Sequence, residues 1–366
     1  MSTEPAKPPT DRPRLPDGSR IRGTYTIDRY IGSGRFADVY AVRHRYMGMQ
    51  AMKLLSRDFE SEAGQEAFLE AFLLSKVHSR SIVRVFDANV ADGESDGRPY
   101  ITMEFAPGGT LEDTLSRATF GLKPLAAIRA LRQLADGLAV AHAMDPPIVH
   151  RDLKPANILV AERFGVKDLR IADFGLARAV SRLTDCVASA GTLLYTPPES
   201  LDGYETPASD VYSLGLIAFE LLTGDLPFKR TDLRSATSEQ DFRKRLRAIH
   251  AEPYPLVSER YPEAGPDLDT LVALMLERSE ESRLASAAAV AKWLDAIESI
   301  RRHDDDEPWR PGPGRVPLTL GFQSIRQHRP RSVVFNWFDK AEELQPEYRI
   351  PLTPFRELIS SSEEQT

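Results

Sequence analysis

His150-Arg151-Asp152-Leu153-Lys154-Pro155-Ala156-Asn157 places a carboxylate, two cations and an amide within one short loop. Upstream lies a helical stripe, Leu125, Ile128, Leu131, Leu134, Leu138 and Ala141, at three- and four-residue steps. Downstream comes the apolar run Ile158-Leu159-Val160. This spacing suits chemistry in which Asp152 accepts or orients a hydroxyl proton, Lys154 meets a phosphate and Asn157 binds a metal. Asp173-Phe174-Gly175 follows the expected strand Leu169–Ala172. Alone it would be an ordinary turn. Beside Asn157, its carboxylate can complete a Mg²⁺ site, because Mg²⁺ takes one or two carboxylates plus phosphate oxygens and water.

Working outward toward the N-terminus, the chain reads as strands. Tyr25–Gly32, Phe36–Arg43 and Met49–Leu55 alternate, with a turn at Met47-Gly48. Gly32-Ser33-Gly34-Arg35-Phe36 sits at a strand–turn–strand junction, where glycines let backbone N–H groups approach phosphate oxygens. By itself that motif is equally a plain turn, and Lys53 on the third strand equally a surface lysine. Glu60–Val77 switches to helical spacing, and Ile82–Phe86 and Tyr100–Phe105 are two further expected strands.

After Pro107-Gly108-Gly109 the pattern is helical. Ser209–Leu222 is apolar nearly all round, as a helix buried in a core would be; Ser209 or Asp210 caps its start and Gly224 stops it. Strands first and helices second predict an α+β chain with a small sheet lobe, a larger helical lobe and a cleft between them.

The ends differ in character. Residues 1–19 are proline-rich and polar, and are expected to be disordered. In residues 301–366, Pro308, Pro311, Pro313, Pro317 and Pro330 argue against long regular elements. Val333–Phe338 and Phe355–Ile359 are apolar enough to dock, with Trp337 as candidate anchor. The expectation is a partly ordered tail packed on its own domain; an autoinhibitory or substrate-docking segment is the alternative.

The 366 residues carry a net charge of −7, without clustered basic residues, which points away from nucleic acid. Cys186 is the single cysteine, so intramolecular disulfides and multi-thiolate metal sites are excluded. The most apolar stretch, Leu214–Leu222, is broken by Gly215 and Glu220 and is too short to span a bilayer. A cytoplasmic location without membrane contact is expected.

These strings, in this order, resemble the eukaryotic-like (Hanks-type) serine/threonine protein kinases, and look most similar to the bacterial ones. The resemblance covers about Thr24 to Ile300. It implies a two-lobed kinase fold: an antiparallel β-sheet N-lobe with one helix of the αC type, about 24–105, and a mainly helical C-lobe, about 106–300. It implies ATP and Mg²⁺, or Mn²⁺ in its place, as cofactors, and protein substrates. Gly32, Ser33, Gly34 and Phe36 would cover the phosphates. Lys53 would hold them, paired with Glu70. Met103 resembles the gatekeeper, with Glu104 to Ala106 as the hinge receiving adenine. Val39, Ala51 and Leu159 would sandwich the ring. Asp152 would be the catalytic aspartate, with Asn157 and Asp173 as metal ligands. Asp210 would buttress the catalytic loop, and Glu199 would pair with Arg283.

Lys154 two residues after Asp152, and Gly191-Thr192 before Pro198-Glu199, follow the serine/threonine pattern. Thr192 would bond Lys154 and Asp152 near the acceptor. Arg151 implies control through phosphorylation of the Asp173–Glu199 segment at Thr184, with Ser189 or Ser181 as alternatives, by way of a transient homodimer. The loop Glu162 to Asp168 is longer than the family pattern. The rival readings are a pseudokinase scaffold and a small-molecule kinase.

Overall fold

The computed structural model describes residues 14–33, 37–55, 74–92, 97–118, 121–163, 166–174, 192–229, 233, 236–303 and 315–361. Six strands form one antiparallel sheet in the order β1-β2-β3-β4-β6-β5. They are β1 (Arg20–Ile21), β2 (Tyr25–Ser33), β3 (Ala37–His44), β4 (Gly48–Leu55), β5 (Val85–Val90) and β6 (Pro99–Glu104). Because successive strand residues face opposite ways, the pairs Tyr40↔Met52 and Ala41↔Ala51 fall on opposite faces. Tyr25, Tyr40, Val42, Met52, Leu54 and Tyr100 build an outer cluster. Ala37, Ala51, Leu55, Ile101 and Met103 build an inner one, closed from the second lobe by Ala172.

Two expectations shift here. The ordered chain begins at least at Arg14 rather than at residue 20: Leu15 is buried in the outer cluster, and its N–H donates to Tyr40 Oη at 3.2 Å. One apolar side chain and the tyrosine hydroxyl offset the polar composition. The strand expected over Ile82–Phe86 runs instead over Val85–Val90. Ile82 and Val83 are buried, and Val83 N donates to Ile171 O at 2.9 Å while Ile171 N donates to Ser81 O at 2.7 Å. They form a short link between lobes, which an apolar run cannot distinguish from a strand. Most of the helix expected over Glu60–Val77 lies outside the described residues; residues 74–76 are helical.

The second lobe is assembled from helices α1 (Leu111–Arg117), α2 (Pro124–His142), α3 (Pro207–Thr223), α4 (Glu239–Ala251), α5 (Gly265–Met275) and α6 (Ala287–His303). Pro124, not Leu125, starts the buried stripe of α2. Helix α3 is buried nearly throughout, as its sequence requires. Its cap is Thr206 in a reciprocal box with Ser209, rather than Ser209 or Asp210. That leaves Asp210 free for other work. A Cβ on Gly215 would stand 2.9 Å from Leu276 and 3.0 Å from Met275, so this glycine sets how closely α5 approaches α3. The stretch Glu162 to Asp168 is accounted for by a hairpin of β7 (Ile158–Arg163) and β8 (Val166–Ile171), paired as far out as Arg163↔Val166.

Beyond residue 303 the prediction against regular elements fails. Helices α7 (Arg315–Arg326), α8 (Arg331–Leu344) and α9 (Arg349–Ser361) follow. Pro308, Pro311 and Pro313 lie outside the described residues; Pro317 and Pro351 lie in first turns and Pro330 is an N-cap, where no intrahelical donor is lost. Among the described residues of this extension, Pro354 alone sits inside a helix. Trp337 is only half-buried; the anchors are Phe322, Phe338 and Phe355, all fully buried. Phe322 stacks edge-on with Phe338 at 5.6 Å and Phe355 at 5.2 Å, and Phe355 meets Trp293 of α6 at 5.2 Å. Thr270 on α5 donates to Phe322 O at 3.2 Å. These side chains belong to the same core as α2, α3, α5 and α6. The tail therefore packs on its own domain, at the base of the helical lobe.

Candidate active site

Asp210, 1 % exposed, accepts from the backbone N–H of His150 at 2.7 Å and of Arg151 at 3.0 Å. It also meets His142 Nε2, at the end of α2, at 2.8 Å. One buried carboxylate thus consumes two loop donors that would otherwise be orphaned. It holds Arg151 in a left-handed backbone conformation, φ 70°. His150 reaches Ala172 O at 2.9 Å through Nε2, and its ring lies 4.6 Å from that of buried Phe174. The two loops bearing the expected reactive groups are thereby fastened to one another.

On this frame the reactive side chains converge. Lys154 Nζ lies 2.6 Å from Asp152 Oδ2. Asn157 Nδ2 donates to Asp152 O at 2.8 Å and to Asp152 Oδ2 at 3.1 Å. Among the described residues both side-chain bonds fall on the same carboxylate oxygen. Ala172 N donates to Asn157 O at 2.9 Å, setting Asp173 beside the amide. Lys53 crosses from β4 to Asp173 Oδ1 at 2.9 Å, and Asp173 also has a left-handed φ of 62°. Desolvation pushes the Asp173 carboxyl upward, but Lys53, with His150 and Lys154 adding to it, outweighs that push and holds the group below its ordinary value. Asn157 and Asp173 offer an amide and a carboxylate oxygen, hard donors that fit a divalent cation finishing its shell with phosphate and water.

Several residues expected at the nucleotide end also come together. Sheet register opposes Val39 to Lys53 and Ala51 to Met103. Ala51, Met103 and Ala172 are buried together, with Leu159 and Phe105 against them, so the residues expected around a flat ring form one apolar cluster. Glu104 ends β6. Ala106 is half-buried just beyond it. Gly108 N donates to Val160 O at 3.0 Å and Val160 N to Gly109 O at 2.9 Å. A Cβ on Gly108 would stand 2.5 Å from Val160 O, so that contact requires glycine.

Gly32 and Ser33 close β2 opposite Val39 and Asp38. Gly34, Phe36, Glu70, Ser181, Thr184, Ser189 and Gly191 lie outside the described residues, as does the side chain of Thr192, which begins a 3₁₀ turn, Thr192–Tyr195. The Glu199–Arg283 pair is present as a fork, with bonds of 2.7 and 3.1 Å. Ser209 Oγ adds a bond to Glu199 at 2.8 Å, and the guanidinium lies 4.9 Å over the Tyr212 ring.

Four contacts go beyond what the sequence predicts. Tyr195 Oη donates to Glu220, and Ser213 Oγ to Tyr195 O at 2.8 Å. A lone glutamate inside the apolar run of α3 was the available signal. Arg151 pairs with Glu205 at 3.1 Å, and Arg170 with Glu104 at 3.7 Å; neither has a signature in sequence spacing.

Comparison with known proteins agrees with this geometry. The protein kinase domain family matches residues 25–294. Serine/threonine-protein kinase PknL of Mycobacterium tuberculosis is 34 % identical over 290 residues, covering 77 % of this chain and 67 % of that protein. Serine/threonine-protein kinase PrkC of Bacillus subtilis is 37 % identical over 217 residues, covering 58 % of this chain but 32 % of PrkC. The match to pkn2 of Myxococcus xanthus, 34 % identical, likewise spans 34 % of that protein. Among solved structures, the M. tuberculosis PknI kinase domain superposes with a TM-score of 0.58 at 24 % identity, covering 78 % of this chain and all of that one, which speaks to fold alone. The chain belongs to the protein kinase family, among the Hanks-type serine/threonine kinases.

Proposed function

We propose that the chain transfers the γ-phosphoryl group of ATP to serine and threonine hydroxyls of proteins. The observation that carries this reading is the single hydrogen-bonded cluster of Asp152, Lys154 and Asn157 facing the Lys53–Asp173 pair. Phosphoryl transfer asks a protein mainly for positioning and charge neutralisation. Asp152 orients the acceptor hydroxyl and takes its proton. Lys154, on the same carboxylate, is placed to accompany the moving phosphoryl group. Lys53 neutralises the phosphates deeper in the cleft. Asn157 and Asp173 would hold Mg²⁺, whose contribution is neutralisation of phosphate oxygens. Adenine takes the slot between Ala51 and Leu159, with backbone bonds to Glu104 and Ala106. Phosphorylation of Thr184 or Ser189 by a second copy, read by Arg151, is the regulatory part of the proposal.

The test is transfer from labelled ATP with Mg²⁺ to the protein itself and to a generic protein acceptor, followed by phosphoamino-acid analysis. Phosphoserine or phosphothreonine from wild type and not from Asp152→Asn supports the reading. Nucleotide binding without transfer would favour a scaffold instead, and transfer only to small acceptors a small-molecule kinase.

A further inference from the structure

Arg170 is 4 % exposed, although arginine is rarely buried without compensation. It lies on β8, three residues before Asp173. Nη1 donates to the adjacent Leu169 O at 3.2 Å and Nη2 to Asp168 at 3.2 Å. These are local contacts that an exposed arginine could make equally well. The long reach is Nε toward Glu104 Oε2 at 3.7 Å, across to the hinge.

The hinge is fastened elsewhere too. Its far end is stitched to β7 by the bonds of Gly108 and Gly109 with Val160, and by a bridge between Thr110 and Leu159. At its near end Glu104 N donates to Arg84 O at 2.9 Å, and the Glu104 side chain meets Arg170. One hairpin thus holds the hinge at both ends, carries Leu159 under the ring slot, and leads through Ala172 into Asp173. The adenine contacts and the metal-binding carboxylate share one frame, with the Arg170–Glu104 ion pair among its near-end fasteners.

We propose that Arg170 is a positioning residue that latches the hinge onto the β7–β8 hairpin and so sets nucleotide affinity without touching the nucleotide. This rests on the kinase reading above for the identity of the slot. The geometry separates binding from chemistry: Arg170 contacts none of Asp152, Lys154 or Asn157 among the interactions described, so its loss should act on ATP and not on the acceptor.

Arg170→Met keeps length and burial while removing the charge; Arg170→Lys keeps the charge without the fork. Glu104→Gln removes the other partner. The readouts are affinity for a fluorescent ATP analogue, which needs no turnover, then KM for ATP, KM for the acceptor, kcat and melting temperature. Arg170→Met and Glu104→Gln should each weaken nucleotide binding roughly fivefold to tenfold, and the double variant no further, as coupled partners do. In Arg170→Met the acceptor KM and kcat should stay within about twofold. Unchanged nucleotide affinity in Arg170→Met, losses that add in the double variant, or an equal loss in acceptor KM would overturn the latch. If Arg170→Met fails to fold, Arg170→Gln decides the question: weaker nucleotide binding at unchanged kcat supports the latch, and wild-type affinity overturns it. Wild type that binds the analogue but transfers no phosphate would defeat the kinase reading, while the affinities would still judge the latch.

Discussion

Replacing Phe322 by alanine would test whether the last three helices are part of the kinase core. Its side chain is fully buried, with two aromatic neighbours at 5.2 and 5.6 Å and its carbonyl bonded to Thr270 of α5. An aromatic side chain buries roughly 150–250 Å². At about 25 cal/mol per Å² that is roughly 4–6 kcal/mol, and measured Phe→Ala changes in cores run about 3–5 kcal/mol. Taking about 3–5 kcal/mol against a whole-domain stability of roughly 5–15 kcal/mol, the variant should melt several degrees lower and lose much of its folded margin. Trp293 lies against Phe355, so tryptophan fluorescence during urea unfolding reports on this joint directly. Calorimetry should show the loss in the main transition. A change below about 1 kcal/mol, or a separate early transition that leaves the main one in place, would refute the continuous core.

Arg301→Met should cost roughly 3–5 kcal/mol, because it strands the fully buried Asp267 carboxylate, now held at 2.7 and 2.9 Å. Adding Asp267→Asn should recover part of the loss in urea titrations, and no recovery would contradict the pairing. A truncation after residue 300 removes this arginine along with the extension, so any loss of activity it causes would not by itself indicate a regulatory tail. Asp152→Asn should lower turnover roughly 10²–10⁴-fold in the transfer assay with ATP affinity nearly unchanged; full turnover would contradict the role given to Asp152. Burial pushes His250, which touches Tyr212 and Tyr254, down to about 4. Below about 6.5 the unfolded chain gains a proton that the folded one refuses. That part of the stability is full above about 6.5 and declines as pH falls toward 4, by up to about 3 kcal/mol. His250→Gln should flatten this slope in denaturation curves measured across that range, and an unaltered slope would refute the assignment.

The catalytic half of the site could be read before the structure because it is local. Asp152, Lys154 and Asn157 meet through their own short loop, whereas the register that sets Ala51 against Met103 depends on strand pairing that alternation does not specify. Asp210 was legible through the family resemblance, which implies its contact with the catalytic loop; the residues alone suggested a helix cap, and the structure gives that role to Thr206 and the loop N–H groups to Asp210. The extension was misread because proline was counted as a breaker everywhere. At first turns and caps it costs no hydrogen bond, so Pro317 and Pro330 permit the helices that their presence argues against.

What stayed hidden shares one physical character. Arg170–Glu104, Arg301–Asp267 and Arg151–Glu205 each join a guanidinium to a carboxylate far away in the chain. Hydrophobic periodicity marks which face of an element turns inward, but it cannot say which inward-facing charge meets which. An arginine on a strand or helix end scores as surface until its partner's position is known. Arg170 even alternates correctly for a solvent-facing residue opposite Leu159 in the hairpin. Only the hinge passing over that face turns it into a buried cation that needs Glu104. Charges whose burial depends on a distant segment are therefore where sequence reasoning is weakest. They are also where one substitution can separate a binding effect from a folding effect, as the Arg170 and Arg301 variants are designed to do.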